Sequence, residues 1–229
     1  SVTGTCQNCV LRILGPFLVC PGETISYTAT VNPGGPVVWG GDANSSGQLS
    51  VPTTAADGST LTVNASADID SDGQEDCTSM FTVTVSDGLP GGPGEAIVCA
   101  LNPIDCIIIA QHDTAARAWA EANATALGGG LGAGCADAAR HAYFNALAAR
   151  DIGATEAKKF ADAHEQSNFV SCQDNNMDLH NNSVGRNLGS GGCTTDACLQ
   201  RAVADALKNG QLVIIQNGQL VSSGGCNVT

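Results

Sequence analysis

The sequence predicts two domains: an N-terminal all-β sandwich, then a mainly α-helical domain closed by a short C-terminal β-hairpin. Three observations carry this. Residues 1–86 hold short β-branched and apolar runs separated by Pro-Gly, Asp-Gly and Asn-Ser-Ser, without helical periodicity. A Pro/Gly-rich stretch, Ser86 to Gly94, interrupts the pattern. From His112 onward alanine-rich segments with capping residues and glycine stops take over. The boundaries expected are 1–88 for the β-sandwich, 89–111 for a linker with a connecting strand, and 112–229 for the helical domain.

In the first domain the expected strands include Val10–Leu14, Thr24–Val31, Val37–Trp39, Leu61–Val63 and Met80–Val85. Val10–Val19 lies beside Cys6 and Cys9, so it is either an ordinary first strand or one that pairs with a neighbouring subunit. Cys20, Trp39 and Cys77 form a Cys…Trp…Cys series at sandwich-like spacing. This third of the chain resembles the Ig-like and PKD-like modules of bacterial and archaeal surface proteins. Such a resemblance implies a spacer, adhesin or polymer subunit more often than a catalyst.

Asp68-Ile-Asp-Ser-Asp-Gly-Gln-Glu-Asp76 is the sharpest local motif. Carboxylates at Asp68, Asp70 and Asp72 converge when the chain curls, Gly73 allows the bend, and Gln74 and Asp76 can complete an oxygen shell for calcium. Position 12 of the loop is Ser79 rather than Glu, which departs from the helix–loop–helix version. The alternative is a solvated acidic turn between two strands.

Beyond the hinge, Ala96–Ala100 and Cys106–Ala110 read as strand-like pieces broken at Asn102-Pro103. Helices are expected over His112–Leu127, Asp137–Arg150, Thr155–Gln166 and Thr195–Lys208, the last capped by Thr194 or Thr195. Leu212–Ile215 and Leu220–Ser222 flank Asn217-Gly218, a favoured hairpin turn.

Eleven cysteines in a chain with only 14% charged residues point to an oxidising compartment, and the odd count leaves one thiol free or bonded to another molecule. The close pairs Cys6–Cys9 and Cys193–Cys198 lack a second pair at zinc-finger distance. A net charge of −13 argues against nucleic acid or an anionic membrane as partner. No apolar run reaches the roughly 18 residues of a membrane span. The first residue is Ser1, with no basic or apolar leader following it, as expected of a protein exported through a cleaved signal peptide. Sequons stand at Asn44, Asn64, Asn123, Asn181 and Asn227, of which Asn44 and Asn64, expected in exposed turns, are the leading glycan acceptors.

All four histidines fall in the second domain, three of them in short runs of functional side chains. The first is Arg140-His-Ala-Tyr-Phe-Asn-Ala-Leu147, where Asp137, His141 and Asn145 share one helical stripe. The second is Asp162-Ala-His164-Glu165, and the third Met177-Asp-Leu-His-Asn-Asn-Ser-Val-Gly-Arg186, which reads as a loop or short turn. Together these runs resemble an uncharacterised helical domain of secreted, polymorphic-toxin-like bacterial proteins, over roughly residues 135–190. The resemblance implies no established activity.

The residues themselves leave three chemistries open. His141, His164, Asp178 and His180 suit zinc or another divalent metal. His141, His164, Glu165, His180 and Arg186 suit metal-free acid–base hydrolysis. Imidazoles and amides also suit a buried polar network that ties segment 170–190 to the helices. His112 is expected at the surface or at a helix start. The function expected first is an extracellular structural protein, a self-assembling surface or filament subunit braced by disulfides and calcium. The alternative is a secreted, toxin-like hydrolase built on the histidine cluster.

Overall fold

The computed structural model describes residues 9–229, which divide into two compact units at Ser86 and Asp87. The first unit is strand-rich and the second holds six helices and a hairpin, as the sequence predicts.

In the first unit β1 (Val10–Leu14) pairs antiparallel with β4 (Thr28–Asn32), and β3 (Thr24–Ser26) with β6 (Gln48–Ser50). A four-stranded sheet runs in the order β2 (Leu18–Val19), β8 (Cys77–Val85), β7 (Thr60–Ala67), β5 (Val37–Gly41). The β2–β8 pair is parallel; the others are antiparallel. Alternation explains the packing. Leu11 and Ile13 of β1 turn inward with Val63, Ala65, Val83 and Val85 of the sheet, while Val10, Arg12, Leu14, Asn64 and Thr82 face water. Ile25, Tyr27, Leu49 and Val51 complete this core. The buried Tyr27 hydroxyl donates to the Pro16 carbonyl at 2.7 Å, so its polar end is satisfied. Gly47 (φ +75°) lies against the Trp39 indole, where a Cβ would come within 2.7 Å of the ring.

Cys77 is bonded to Cys9 (Cα–Cα 5.7 Å), so the Cys20…Cys77 series does not mark a bridge between its own two cysteines. Val10–Leu14 and Leu18–Val19 pair within their own chain, as the ordinary-first-strand alternative expects. Cys6 lies outside the described residues.

The second unit is built around α3 (Cys135–Ile152), twelve of whose 18 residues are buried. Alanine dominates its faces, so neighbouring helices approach closely: α2 (Pro103–Ala122), α4 (Ala154–Ser167), α5 (Cys172–Gly189) and α6 (Asp196–Lys208). Approach is tightest at α5, where Gly185 and Gly189 rest on the carbonyls of Ala142 and Ala146 and any Cβ would collide with them. Tyr143 meets Trp119 in a tilted ring contact at 4.7 Å and accepts a hydrogen bond from Gln200. The hairpin β9 (Val213–Gln216) and β10 (Gln219–Ser222) turns at Asn217 (φ 53°) and Gly218 (φ 74°), the primed turn that the dipeptide predicts. Disulfides Cys99–Cys106, Cys135–Cys226 and Cys193–Cys198 staple this unit, so Cys193–Cys198 is a bridge rather than half of a metal knuckle.

Three segments differ from expectation. The strand-like pieces of 96–110 are helices, α1 (Glu95–Leu101) and the start of α2. Pro103 opens α2 at its first turn, where no amide hydrogen is required, instead of breaking a strand. The isoleucine run 107–109 mimics a strand because β-branching and a short apolar run do not separate the two states. Residues 177–186 lie inside α5, capped by the Ser171 hydroxyl, which accepts from the Asp174 amide at 3.1 Å. Asparagines and glycines lower its intrinsic helicity, and packing against α3 overrides that weakness.

Candidate functional site

Two helical stripes face each other in the core of the second unit. Asp137, His141 and Asn145 recur every four residues on α3; Asp178, Asn182 and Arg186 recur every four on α5. The glycines of α5 let these polar rows meet. Glu165 joins from α4, nearly fully buried at 4% exposure.

His141 is the centre. Arg140 Nη2 lies 2.6 Å from its Nε2, and a guanidinium only donates, so Nε2 carries the lone pair. Nδ1 then bears the proton and faces Asn182 Oδ1 at 3.3 Å. Asn182 Oδ1 also accepts from Asn145 Nδ2 (2.7 Å), while Asn182 Nδ2 donates to Glu165 Oε1 (2.9 Å). Arg186 Nη1 donates to Asn145 Oδ1 at 3.0 Å. Arg140 also donates to Asp137 Oδ1 through Nη2 (2.7 Å) and Nε (2.9 Å), and Asp137 Oδ2 accepts the Ala133 amide. Asp178 Oδ1 sits 3.1 Å from His141 Nε2. It is buried, and it makes no aligned hydrogen bond.

Burial sets the protonation states. Desolvation, then the Arg140 charge, holds the His141 imidazole well below its ordinary value, so it is neutral. Desolvation, then Glu165 and Asp137, pushes the Asp178 carboxyl up to about 9. Glu165 is also raised, by burial first. A cavity of about 360 Å³ borders the cluster, with Arg117, Arg140, His141, Phe144, His164 and Glu165 in its wall. A larger hollow of about 490 Å³ lies on the first unit near Val38, Trp39, Asn64 and Met80, and it gathers no acid–base pair.

The four-residue metal set expected from sequence is not assembled. His180 Nε2 lies 2.9 Å from the Gln211 carbonyl, and Asn181 makes two 2.9 Å hydrogen bonds with the Val213 backbone. These neighbours bind α5 to the segment leading into the hairpin. His164 is about half exposed, with Nδ1 3.4 Å from Glu95 Oε2. Among the described residues the groups that converge are Asp137, His141 and Asp178, with ligand atoms within 4.8 Å of one another. Of the residues expected to act in catalysis, His141, Glu165 and Arg186 meet in one network, His164 borders the cavity, and His180 is directed elsewhere. His112 is not a surface residue: it lies within α2, its ring 12% exposed, 3.0 Å from Asp151. Asn182 was missed; the four-residue spacing 178/182/186 is its signal, visible only once the segment is read as helix.

In the first unit Asp68, Asp70 and Asp76 converge similarly. Backbone amides already engage them: Asp68 accepts from Ser71 (2.7 Å) and Gly73 (2.9 Å), Asp76 from Ile69 (2.6 Å), and Asp70 from Asp72 (3.2 Å). Asp72 turns to the Gln74 amide at 2.8 Å and stands outside that trio. Asn44 and Asn64 are exposed, whereas Asn181 is fully buried in its hydrogen bonds, which removes that sequon from consideration in the folded chain.

A helical unit with a buried histidine–carboxylate cluster beside a cavity is the class that fold and geometry define. A family model described as a domain of unknown function, DUF6973, matches residues 96–211, just over half of the chain, and the chain belongs to that family. No curated protein and no solved structure matches it.

Proposed function

We propose that the chain is an extracellular structural protein, a self-assembling subunit of a cell-surface layer or filament. The observation that carries this is an unpartnered aliphatic face on the short α1–α2 corner. Ile97, Leu101, Ile104 and Ile107 are 56%, 73%, 74% and 62% exposed, and the Cys99–Cys106 bridge staples the backbone beneath them. Four large aliphatics held open by a disulfide favour a protein partner. A second copy is the occupant this reading takes.

Several features support an exterior setting. Disulfides persist in oxidising compartments, and no described helix is long and apolar enough to cross a membrane. The Ig-like reading of the first unit gains support from β2, which runs parallel to the last strand, β8, at the sheet edge. Calcium at Asp68, Asp70 and Asp76, with Asp72 and Gln74 drawn in, would brace the β7–β8 turn. Asn44 and Asn64 would carry glycans. Electron microscopy and light scattering on the purified chain test the reading. Ordered polymers that Ile104→Asp with Leu101→Asp dissolves are expected; a strict monomer at all concentrations overturns it.

One observation favours a second reading, a secreted toxin-like hydrolase. Burial keeps the His141 imidazole in its basic form beside a cavity that Glu165 and His164 also border. On this reading His141→Ala abolishes toxicity or hydrolysis without unfolding the unit, and activity that survives the substitution removes it.

A further inference from the structure

We propose that Asp137, His141 and Asp178 form a three-ligand centre for a first-row divalent cation of the zinc or manganese class, and that Arg140 holds the cation's place until the ion arrives.

Spacing comes first. Nε2 lies 3.1 Å from Asp178 Oδ1 and 3.9 Å from Asp137 Oδ1. Ligands about 2.0–2.2 Å from a tetrahedral ion stand roughly 3.3–3.6 Å apart, between those two distances. An imidazole among the donors disfavours calcium and magnesium and suits zinc or iron, while the two carboxylates also admit manganese. Three protein ligands leave one coordination position open.

Protonation comes second. Nε2 already carries its lone pair, and Nδ1–H is held by Asn182, whose amide leans on Glu165 and Asn145. Ligating histidines are commonly fixed this way, with the distal ring nitrogen donating to a second layer of polar groups.

Charge comes third. Asp178 Oδ1 is buried without a hydrogen bond, and three carboxyl groups surround a neutral ring. The cation that reaches them among the described residues is Arg140, whose Nη2 sits 2.6 Å from Nε2 and 2.7 Å from Asp137 Oδ1. A cationic nitrogen thus stands where an ion bound by the same two atoms would stand. Arg140 is 22% exposed and also borders the 360 Å³ cavity, so it has somewhere to swing when displaced. Its guanidinium would then present donors to an anionic group beside the open coordination position.

This centre belongs to the helical unit alone. It bears on the hydrolase reading and is independent of self-assembly, so a chain that never polymerises can still bind the ion. The test uses the full chain after chelation, with excess calcium present to occupy the acidic loop. Manganese is titrated while the ring signals of the four histidines are followed by NMR. His141 is expected to broaden first, well ahead of His112, His164 and His180; equal broadening of all four, or none, overturns the proposal. Zinc calorimetry supplies the second measurement. Asp178→Asn, close to isosteric, is expected to weaken binding on the order of 100-fold or more, since even an outer-shell partner is worth 10–100-fold. Arg140→Gln is expected to bind at least as tightly as the unaltered chain. Unchanged affinity in Asp178→Asn, or lost affinity in Arg140→Gln, overturns it as well.

Discussion

The two units treat the same side chain in opposite ways. In the first, aspartates gather on an exposed turn, and their oxygens are consumed by backbone amides of residues 69–73. In the second, Asp137 and Asp178 sit among helices, with an arginine and a neutral histidine as their neighbours. Water screens the exposed cluster; in the buried one, desolvation and like charges nearby set the ionisation of Asp178. Carboxylates acquire unusual chemistry where a helix core holds them, and the alanine and glycine faces of α3 and α5 are what bring them there.

The largest expected effect breaks the helical side of this contrast. Gly185→Val places a branched side chain against the Ala142 carbonyl, with backbone on both sides and nothing free to move. A loss of about 3 kcal/mol or more is expected. Hydrogen exchange read by mass spectrometry should show early exchange in α3 and α5 and unchanged protection in β7 and β8. Equal loosening of both units would mean that the α3–α5 contact is not the local keystone described.

Acid should also separate the units. Burial lowers the values of His112, His141 and His180, and the first unit contains no histidine. These rings are neutral in the fold and take up protons once unfolded. Their contribution is therefore fully present above about pH 6.5, the unfolded value, and is lost as pH drops below it. In chelator, with Asp178→Asn and Glu165→Gln removing two raised carboxyls of opposite pH dependence, lowering pH from 7.5 to 5.5 should cost the helical unit on the order of 1–3 kcal/mol, because each depressed unit of pKa is worth about 1.4 kcal/mol. Protection in β1, β7 and β8 should stay level through this window.

Asp178 gives a contrast of opposite sign. Its carboxyl is protonated in the fold up to about pH 9, and it ionises near its ordinary value once unfolded. Its contribution is thus fully present at low pH and declines as pH rises above about 4. In metal-free buffer Asp178→Asn should raise helical-unit stability at pH 8 by about 1–2 kcal/mol, with a smaller gain at pH 5. A variant equally stable at both values would show that desolvation does not govern this carboxyl. The same substitution weakens the proposed ion site, so stability and metal affinity are expected to move in opposite directions.

Legibility in the sequence follows the same division. Strand alternation, the Asn217-Gly218 turn and the caps of α6 are local signals, and each is found where the sequence places it. The acidic turn was equally visible, because convergence of Asp68 and Asp70 needs only a few residues. The helical site was half visible. The stripe Asp137/His141/Asn145 declares itself by period, but its partner stripe lies in a segment whose asparagines and glycines disguise a helix. His180 and Asp178 stand two residues apart and look interchangeable as ligands. Only the packed helix, with one facing α3 and the other facing Gln211, tells them apart. Long-range disulfide choice, such as Cys9 with Cys77, is likewise set by folding and not by spacing.

The smallest expected effect lies on the exposed turn. Asp70→Asn keeps the side-chain oxygen that accepts the Asp72 amide, so the turn conserves its hydrogen bonds and the chain without calcium should melt within about 0.5 kcal/mol of the original. With calcium the two should part. The unaltered chain gains stability as RT ln(1 + [L]/Kd), while the variant, short of one anionic ligand, gains less at any given concentration. Melting curves with calcium and with chelator, read through protection in β7 and β8, measure both differences. If calcium shifts neither chain, the amides of residues 69–73 are sufficient company for these carboxylates, and the turn is held by hydrogen bonds alone. The buried cluster has a poorer supply: Asp137 accepts the Ala133 amide, but the helices that carry Asp137 and Asp178 spend their own amides on their ladders. That is why a cation, whether Arg140 or an ion, matters more to the second unit than to the first.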